Sequence, residues 1–282
     1  MTRTVRRSLA GLNVAVTGGA HGIGRAVAER FADAGAQVAI GDLDGVAAGG
    51  AAAAIGPPAI GRDLDVADRD GFAAFLDAAA QAHGPLDVLV NNAGIDWVGP
   101  FHEEPDEVTR REVEVNLLGT LTGTRLALQR MLPRDDGHIV NVASGVGRIP
   151  LPGSASYSAT KHAIVGLTES LRLEYRRSGV RFSLIQPSQV ETAMIDGQAR
   201  PRLMAVVSPD QVAAAVLRAV REDRFEVWVP GAQAPAAKAA ALLPRRAREA
   251  LLLAMGIARL TGGTDQAARR AYHERTFGRG SG

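Results

Sequence analysis

The 282-residue chain contains no cysteine, which excludes disulfides, thiolate metal sites and a thiol nucleophile. It holds only two lysines, Lys161 and Lys238, against 30 arginines, and aromatic residues make up 4% of it. The six histidines, at 21, 83, 102, 138, 162 and 273, show no metal-ligand spacing, so no metal site is expected. Net charge is only +2, so no global field calls for nucleic acid, and no nucleic-acid partner is expected. No run of 18 apolar residues occurs, so no transmembrane helix is expected. Near the start, Arg3, Arg6 and Arg7 precede an apolar run from Leu9 that breaks at Gly11 and Asn13, unlike a secretory signal. These absences set the expectation of a cytoplasmic protein.

Hydrophobic content of 46% with 22% charged residues suits a folded chain with a full core. Short β-branched runs alternate with longer Ala/Leu/Arg segments of helical period. Strands are expected at Asn13–Thr17, Gln37–Asp42, Ile60–Leu64, Asp87–Asn91, His138–Ala143, Arg181–Gln186 and Glu226–Val229. Helical patterns include Gly24–Ala34, Arg69–Gln81, Pro105–Met131, Ser156–Arg177 and Pro209–Arg221. The strands are mostly apolar throughout, as parallel strands covered on both faces are. The expected fold is therefore α/β: a doubly wound Rossmann-type parallel sheet of about seven strands with helices on both faces. Residues 1–230 read as one such domain. Residues 231–282 carry nine Arg/Lys against three Asp/Glu and read as a basic helical extension.

The first strand runs into "TGGAHGIGRA", where glycines at 18, 22 and 24 precede a helix. Backbone can approach a ligand closely there, and helix N-terminal N–H groups can meet a pyrophosphate. Asp42 ends the next strand, placed to accept hydrogen bonds from ribose hydroxyls. A 2′-phosphate about 4 Å from that carboxylate would meet repulsion of several kcal/mol. NAD is therefore expected over NADP, although His21 and Arg25 offer positive charge nearby.

Together with "DLDV" at 63–66, "NNAG" at 91–94, Asn116 in "VNLLG", Ser144 in "NVASG" and "YSATK" at 157–161, this turn resembles the short-chain dehydrogenase/reductase family over roughly residues 10–230. The resemblance implies NAD(P)-dependent interconversion of an alcohol and a carbonyl. It implies that Asp65 and Val66 flank the adenine, that "NNAG" braces the central strand, and that Val190 and Thr192 contact the carboxamide. The cofactor-binding set it implies is Gly18, His21, Gly22, Ile23, Gly24, Asp42, Leu43, Asp65, Val66, Asn92, Ala93, Gly94, Pro187, Val190 and Thr192, with Tyr157 and Lys161. Where the family usually reads Pro-Gly after the sixth strand, this chain has Ser188 in place of the glycine. The resemblance also implies a homo-oligomer, a dimer or tetramer.

Hydride transfer at a carbonyl needs a proton partner for the oxygen. A phenolate at neutral pH must be favoured by about 3 pKa units, or ~4 kcal/mol. Tyr157 and Lys161 lie one helical turn apart, and an ammonium about 4 Å from the phenolate supplies that much at an effective dielectric near 20. The compact ammonium can also bond ribose hydroxyls, which the planar guanidinium cannot do from the same place. Ser144, at a strand end, can stabilise alkoxide charge. By family analogy Asn116 holds a water-borne proton path to Lys161. The expected catalytic set is Asn116, Ser144, Tyr157 and Lys161. The alternatives are an NADPH-dependent carbonyl reductase and a dinucleotide-binding protein without turnover.

Substrate contacts are expected from Ile95, Trp97, Val146, Ile149, Leu151, Met194, Ile195, Leu203 and Met204, which suits a small hydrophobic alcohol or ketone. Asp96 and Arg148 are expected to face solvent. The tail from Ala241 reads as one amphipathic helix with Arg245, Arg248, Glu249 and Arg259 near one face and Ala247, Leu251, Ala254 and Ala258 on another. It can lie on an anionic membrane, lid the substrate cleft, or pack on its own or a neighbouring subunit.

Overall fold

The computed structural model describes residues 6–197, 205–254 and 266–277. Leu203, Met204, Ala258 and Arg259 lie outside them.

Seven parallel strands make one sheet: β1 (Asn13–Thr17), β2 (Gln37–Asp42), β3 (Ile60–Asp63), β4 (Val88–Asn91), β5 (Gly137–Val142), β6 (Val180–Pro187) and, after a short pair β7 (Gln189–Val190) and β8 (Val206–Val207), β9 (Glu226–Val229). The order β3-β2-β1-β4-β5-β6-β9 reverses direction between β1 and β4. That reversal opens a crevice at the strand carboxyl ends, where ligands bind in sheets of this kind. β1, β4 and β5 are buried at every position, which is why their sequences carry no polar alternation.

Helices α1 (Gly22–Asp33), α2 (Gly45–Ile55) and α7 (Pro209–Glu222) cover one face. The other is covered by α3 (Arg69–His83), α4 (Asp106–Glu112), α5 (Gly119–Met131) and α6 (Ala155–Glu174). The two apolar layers centre on Phe31 and Val216 on one side and on Phe72, Leu76 and Leu89 on the other. The start of α7 is a capping box, with Ser208 accepting from the Gln211 N–H and Gln211 answering to the Ser208 N–H.

One element forms against its local propensity, and another departs from the expectation. α2 forms despite Gly49 and Gly50, which are poor helix formers. Asp44 caps it by accepting from the Ala47 N–H, and the helix lies so close to β3 that a Cβ on Gly61 would sit 2.2 Å from the Ala48 carbonyl. The single helix expected over Pro105–Met131 is instead α4 and α5 joined by a π-helical turn, Val113–Leu118, with Asn116 inside it. Such widened turns occur mostly at functional sites.

The tail holds α8 (Gln233–Ala241), α9 (Arg245–Ala254) and α10 (Gln266–Phe277). Pro244 separates the first two, so the helix expected from Ala241 starts instead at Arg245, just past the proline, and its part beyond Ala254 lies outside the described residues. Among the described residues no helix is long and apolar enough to cross a membrane.

Candidate active site

A cavity of about 840 Å³ runs along the carboxyl ends of the strands. Its first part is the turn after β1. Gly18 has φ +61°, and a Cβ there would lie 2.9 Å from the Ala93 Cα. Gly24 sits beneath the turn, where a Cβ would come within 2.1 Å of the Gly18 carbonyl oxygen. Each glycine is thus required by close backbone approach. Helix α1 begins at His21, whose side chain makes no capping bond, and its first turn has no acidic residue. Gly18, His21, Gly22 and Ile23 line the cavity beside these N–H groups. An uncapped helix start free of acidic side chains suits a pyrophosphate, so the residues present fit a dinucleotide.

Asp42 and Leu43 close the outer end. The Asp42 carboxylate accepts from the Ala20 N–H (3.0 Å) and the Asp44 N–H (3.2 Å), which fixes it across the glycine-rich turn. Arg25 pairs with Glu29 at 2.8 Å on the helix surface. Asp65 and Val66 line the next stretch, with Asp65 held by Arg111 at 2.8 Å.

The "NNAG" segment ties this cradle to the sheet. Asn91 donates to Thr124 and Asn141, and Asn92 donates to the Thr17 and Gly18 carbonyls at 3.0 and 3.1 Å. The Thr17 hydroxyl accepts from the N–H groups of Asn92 and Ala93. Ala93 and Gly94 then face the cavity, as do Pro187, Val190 and Thr192 from the opposite side. Ser188 bridges two backbone segments, because its N–H donates to the Val229 carbonyl and its hydroxyl to the Ala205 carbonyl at 2.6 Å. It thereby holds the return strand β8 against the site, a bond that a glycine could not make.

Beyond "NNAG" lie Ser144, Tyr157 and Lys161. Ser144 follows β5, and its side chain accepts from the Val146 N–H and donates to the Pro187 carbonyl at 3.4 Å, while Tyr157 lines the cavity beside it. Tyr157 and Lys161 lie on the same face of α6, with Nζ 5.4 Å from the phenol ring centroid and donating to the Val142 carbonyl at 3.1 Å. Asn116 is fully buried behind them. Its Oδ1 accepts from the Ile95 N–H (2.8 Å), while Nδ2 donates to the Ile95 carbonyl (2.9 Å) and to Thr160 (3.3 Å). These side-chain bonds of Asn116 clamp the "NNAG" strand end.

The electrostatics differ from the expectation in one respect. Tyr157 is pushed above its ordinary value, first by burial and then by Asp96 and Glu112, with the Ser144 hydrogen bond acting the other way. Burial disfavours the charged phenolate. Burial also lowers Lys161 to about 8.

The remaining cavity wall is largely apolar. Ile95, Val146, Ile149, Leu151, Met194 and Ile195 line it as expected. Trp97 does not: it stacks on His273 of α10 at 6.1 Å. Asp96 is buried and lines the cavity, contrary to the solvent-facing expectation. Arg148 does pair outside, with Glu169 and Glu226. Sequence reasoning missed Tyr272 and Thr276 of α10, Leu251 and Leu252 of α9, and the alanine face of α8. The scarcity that marks Tyr157 marks Tyr272 equally, since the chain has only three tyrosines.

The sequence profile of the short chain dehydrogenase family matches residues 12–202. The chain is 38% identical over 215 residues to the cis-4-hydroxycyclohexanecarboxylate dehydrogenase of Sinomonas cyclohexanicum, covering 71% of this chain and 86% of that protein. It is 36% identical over 198 residues to 3beta-hydroxysteroid dehydrogenase 2 of Eggerthella lenta, covering 68% and 76%. A crystal structure of a short chain dehydrogenase/reductase from Burkholderia phymatum in complex with NAD superposes with a TM-score of 0.76 at 28% identity, covering 82% of this chain and 93% of that one. With a matching profile over most of the sheet and the glycine cradle leading to the Tyr157–Lys161 pair, this chain belongs to the short-chain dehydrogenase/reductase family of NAD(P)-dependent oxidoreductases.

Proposed function

We propose that this protein interconverts a hydrophobic, cyclic secondary alcohol and its ketone, with NAD as cofactor and Tyr157 as the acid/base. The observation that carries the reading is that Ser144, Tyr157 and Lys161 line one cavity at the point where the glycine-rich cradle meets an apolar end. Ser144 is placed to donate to the substrate oxygen and Tyr157 to pass the proton. Held protonated by its surroundings, Tyr157 is ready to give its proton to a ketone oxygen. The oxidised dinucleotide, when bound, supplies the hydride acceptor and a positive ring charge. In the oxidative direction Lys161 adds to that charge and offsets the desolvation of a phenolate. Asn116 acts through position, by fixing Ile95 and the strand end beside the reacting centre.

Preference for NAD over NADP rests on Asp42, which two backbone N–H groups hold against the cavity. Arg25, the obvious partner for a 2′-phosphate, is paired with Glu29 instead. Cyclic substrates are favoured by the apolar wall and by the dehydrogenases of cyclic alcohols among the relatives. Residues 1–230 hold the dinucleotide and the catalytic set in this reading, and residues 231–282 complete the substrate walls. Phe101, Leu118 and Leu173 stay exposed around the α4–α6 layer and suit a homo-oligomer.

Tyr157→Phe tests the reading, with cyclic secondary alcohols and NAD followed at 340 nm. Turnover should fall about 10²- to 10⁴-fold while the NAD dissociation constant stays unchanged. Retained turnover with intact binding would sink the assignment.

A further inference from the structure

The family profile ends at residue 202, yet the wall of the cavity includes residues far beyond it. Four residues of α10, Arg269, Tyr272, His273 and Thr276, follow the i, i+3, i+4, i+7 pattern of one helix face. Arginine is rarely fully buried unless its charge and donors are paired, but Arg269 is only 1% exposed. Its Nη1 donates to the Met194 carbonyl (2.6 Å), and its Nη2 donates to the Asp96 carbonyl (2.8 Å) and meets His273 Nε2 at 3.3 Å. Met194 follows β6 and Asp96 follows β4, so one guanidinium joins the two loops that flank the cavity mouth. The same group lies 4.6 Å from the Tyr272 ring, a stacking that fixes the phenol. The Tyr272 hydroxyl accepts from the Asp96 N–H, and Tyr272 and Thr276 both line the cavity. His273 stacks on Trp97, which completes the seam between α10 and the β4 loop.

We propose that α10 is a lid that this chain supplies to its own substrate cavity, with Arg269 as the positioning residue that joins the mouth loops and Tyr272 as a specificity residue. The inference rests on the substrate reading above. Tyr272 lines the same cavity as Ser144 and Tyr157 and offers it a further hydroxyl. The cavity therefore takes a second neutral oxygen, so cyclic diols and hydroxy-ketones are preferred over cyclic alcohols with a single oxygen. A guanidinium fork is needed because one residue must reach two carbonyls, and lysine has a single nitrogen.

The test uses the full chain with Arg269→Met, Arg269→Lys and Tyr272→Phe. Trp97 reports docking directly. The chain has two tryptophans, so a Trp228→Phe background leaves Trp97 as the single indole. Arg269→Met should at least double acrylamide quenching of Trp97 and lower kcat/KM about 10²-fold, mainly through KM, with the NAD dissociation constant unchanged. Arg269→Lys should restore only part of each. Tyr272→Phe should leave quenching unchanged and raise KM for a 1,4-cyclohexanediol several-fold more than for cyclohexanol. Wild-type quenching and wild-type KM in Arg269→Met would overturn the lid, and equal KM changes for both alcohols in Tyr272→Phe would overturn the specificity role. Wild-type protein without turnover on any alcohol would overturn the substrate reading instead, while quenching would still decide the docking.

Discussion

Glu112 ends α4 with no solvent exposure. One carboxyl oxygen accepts from the Trp97 N–H, and the other has no hydrogen-bond partner among the described residues. Burial and then the nearby Asp96 raise its pKa from the ordinary 4.5 to about 9, against the opposing Trp97 bond. Between those values the folded protein keeps a proton that the unfolded chain has lost. The stability this group contributes is therefore complete below about 4.5 and is lost progressively as pH rises towards 9. Over the three pH units from 5 to 8, the loss is on the order of 4 kcal/mol.

Glu112→Gln removes the ionisation and keeps an oxygen for the Trp97 N–H. The amide leaves a buried donor in the place of the unpartnered oxygen, at a cost of about 1–3 kcal/mol, but the neutral acid carries a similar burden. Urea unfolding at pH 5 and pH 8 measures the outcome. The two proteins should have comparable stability at pH 5, and at pH 8 the variant should be more stable by several kcal/mol. Glu112→Leu serves as a control, because it strands the Trp97 N–H and should destabilise the protein at both pH values. Parallel pH curves for wild type and Glu112→Gln would refute the argument, since they would mean that the carboxyl ionises as readily in the folded state as in the unfolded one.

Gly24→Ala should weaken NAD binding more than tenfold in a fluorescence titration and lower Tm, because the new methyl meets the Gly18 carbonyl at 2.1 Å. Asp42→Ala should shift the ratio of NADP to NAD dissociation constants at least tenfold towards NADP, since several kcal/mol of repulsion at the 2′-position disappears. His138 is buried against the Ser183 hydroxyl, and burial with Arg7 and Arg181 lowers its pKa to about 3. The unfolded chain then binds the extra proton below about 6.5, so the contribution of His138 is full above that value and fades as pH falls towards 3. By pH 5 the loss is about 2 kcal/mol, and His138→Gln should unfold in urea with a correspondingly shallower acid dependence.

The strands were legible because β1, β4 and β5 are buried on both faces and leave unbroken apolar runs. The glycine cradle was legible because close backbone approach tolerates no Cβ, so the chemistry is written as glycines at fixed spacing. α2 was legible only from the strand–helix alternation, since Gly49 and Gly50 argue against a helix and the cap and the contact with β3 decide for one. The π-helical turn at Asn116 leaves no mark on a pattern whose apolar residues continue through it. Asp96 and Tyr272 illustrate the larger gap. They meet across 176 positions, and no local period can announce that a tail tyrosine accepts from the backbone of a loop after β4. Residue types that fold or bind through local geometry could be read, whereas walls built by long-range packing could not.

Lys161 shows how packing adds reasons for a residue that the sequence singles out. The scarcity of lysine pointed to this position, and the expected cause was an ammonium lowering the pKa of a phenol. In the fold, Nζ is buried, donates to the Val142 carbonyl and lies 3.5 Å from the point where a Cβ on Gly94 would be. Asn116 Oδ1 lies 3.2 Å from that same point, so the glycine of "NNAG" makes room for both side chains. A guanidinium there would need more volume and would bury five N–H groups against few acceptors. Burial already draws the lysine down to about 8, still mostly charged at neutral pH yet able to release a proton just above it, which an arginine cannot do. A preference for lysine at this position fits size and a titratable charge beneath Gly94, while burial of Tyr157 works against its phenolate.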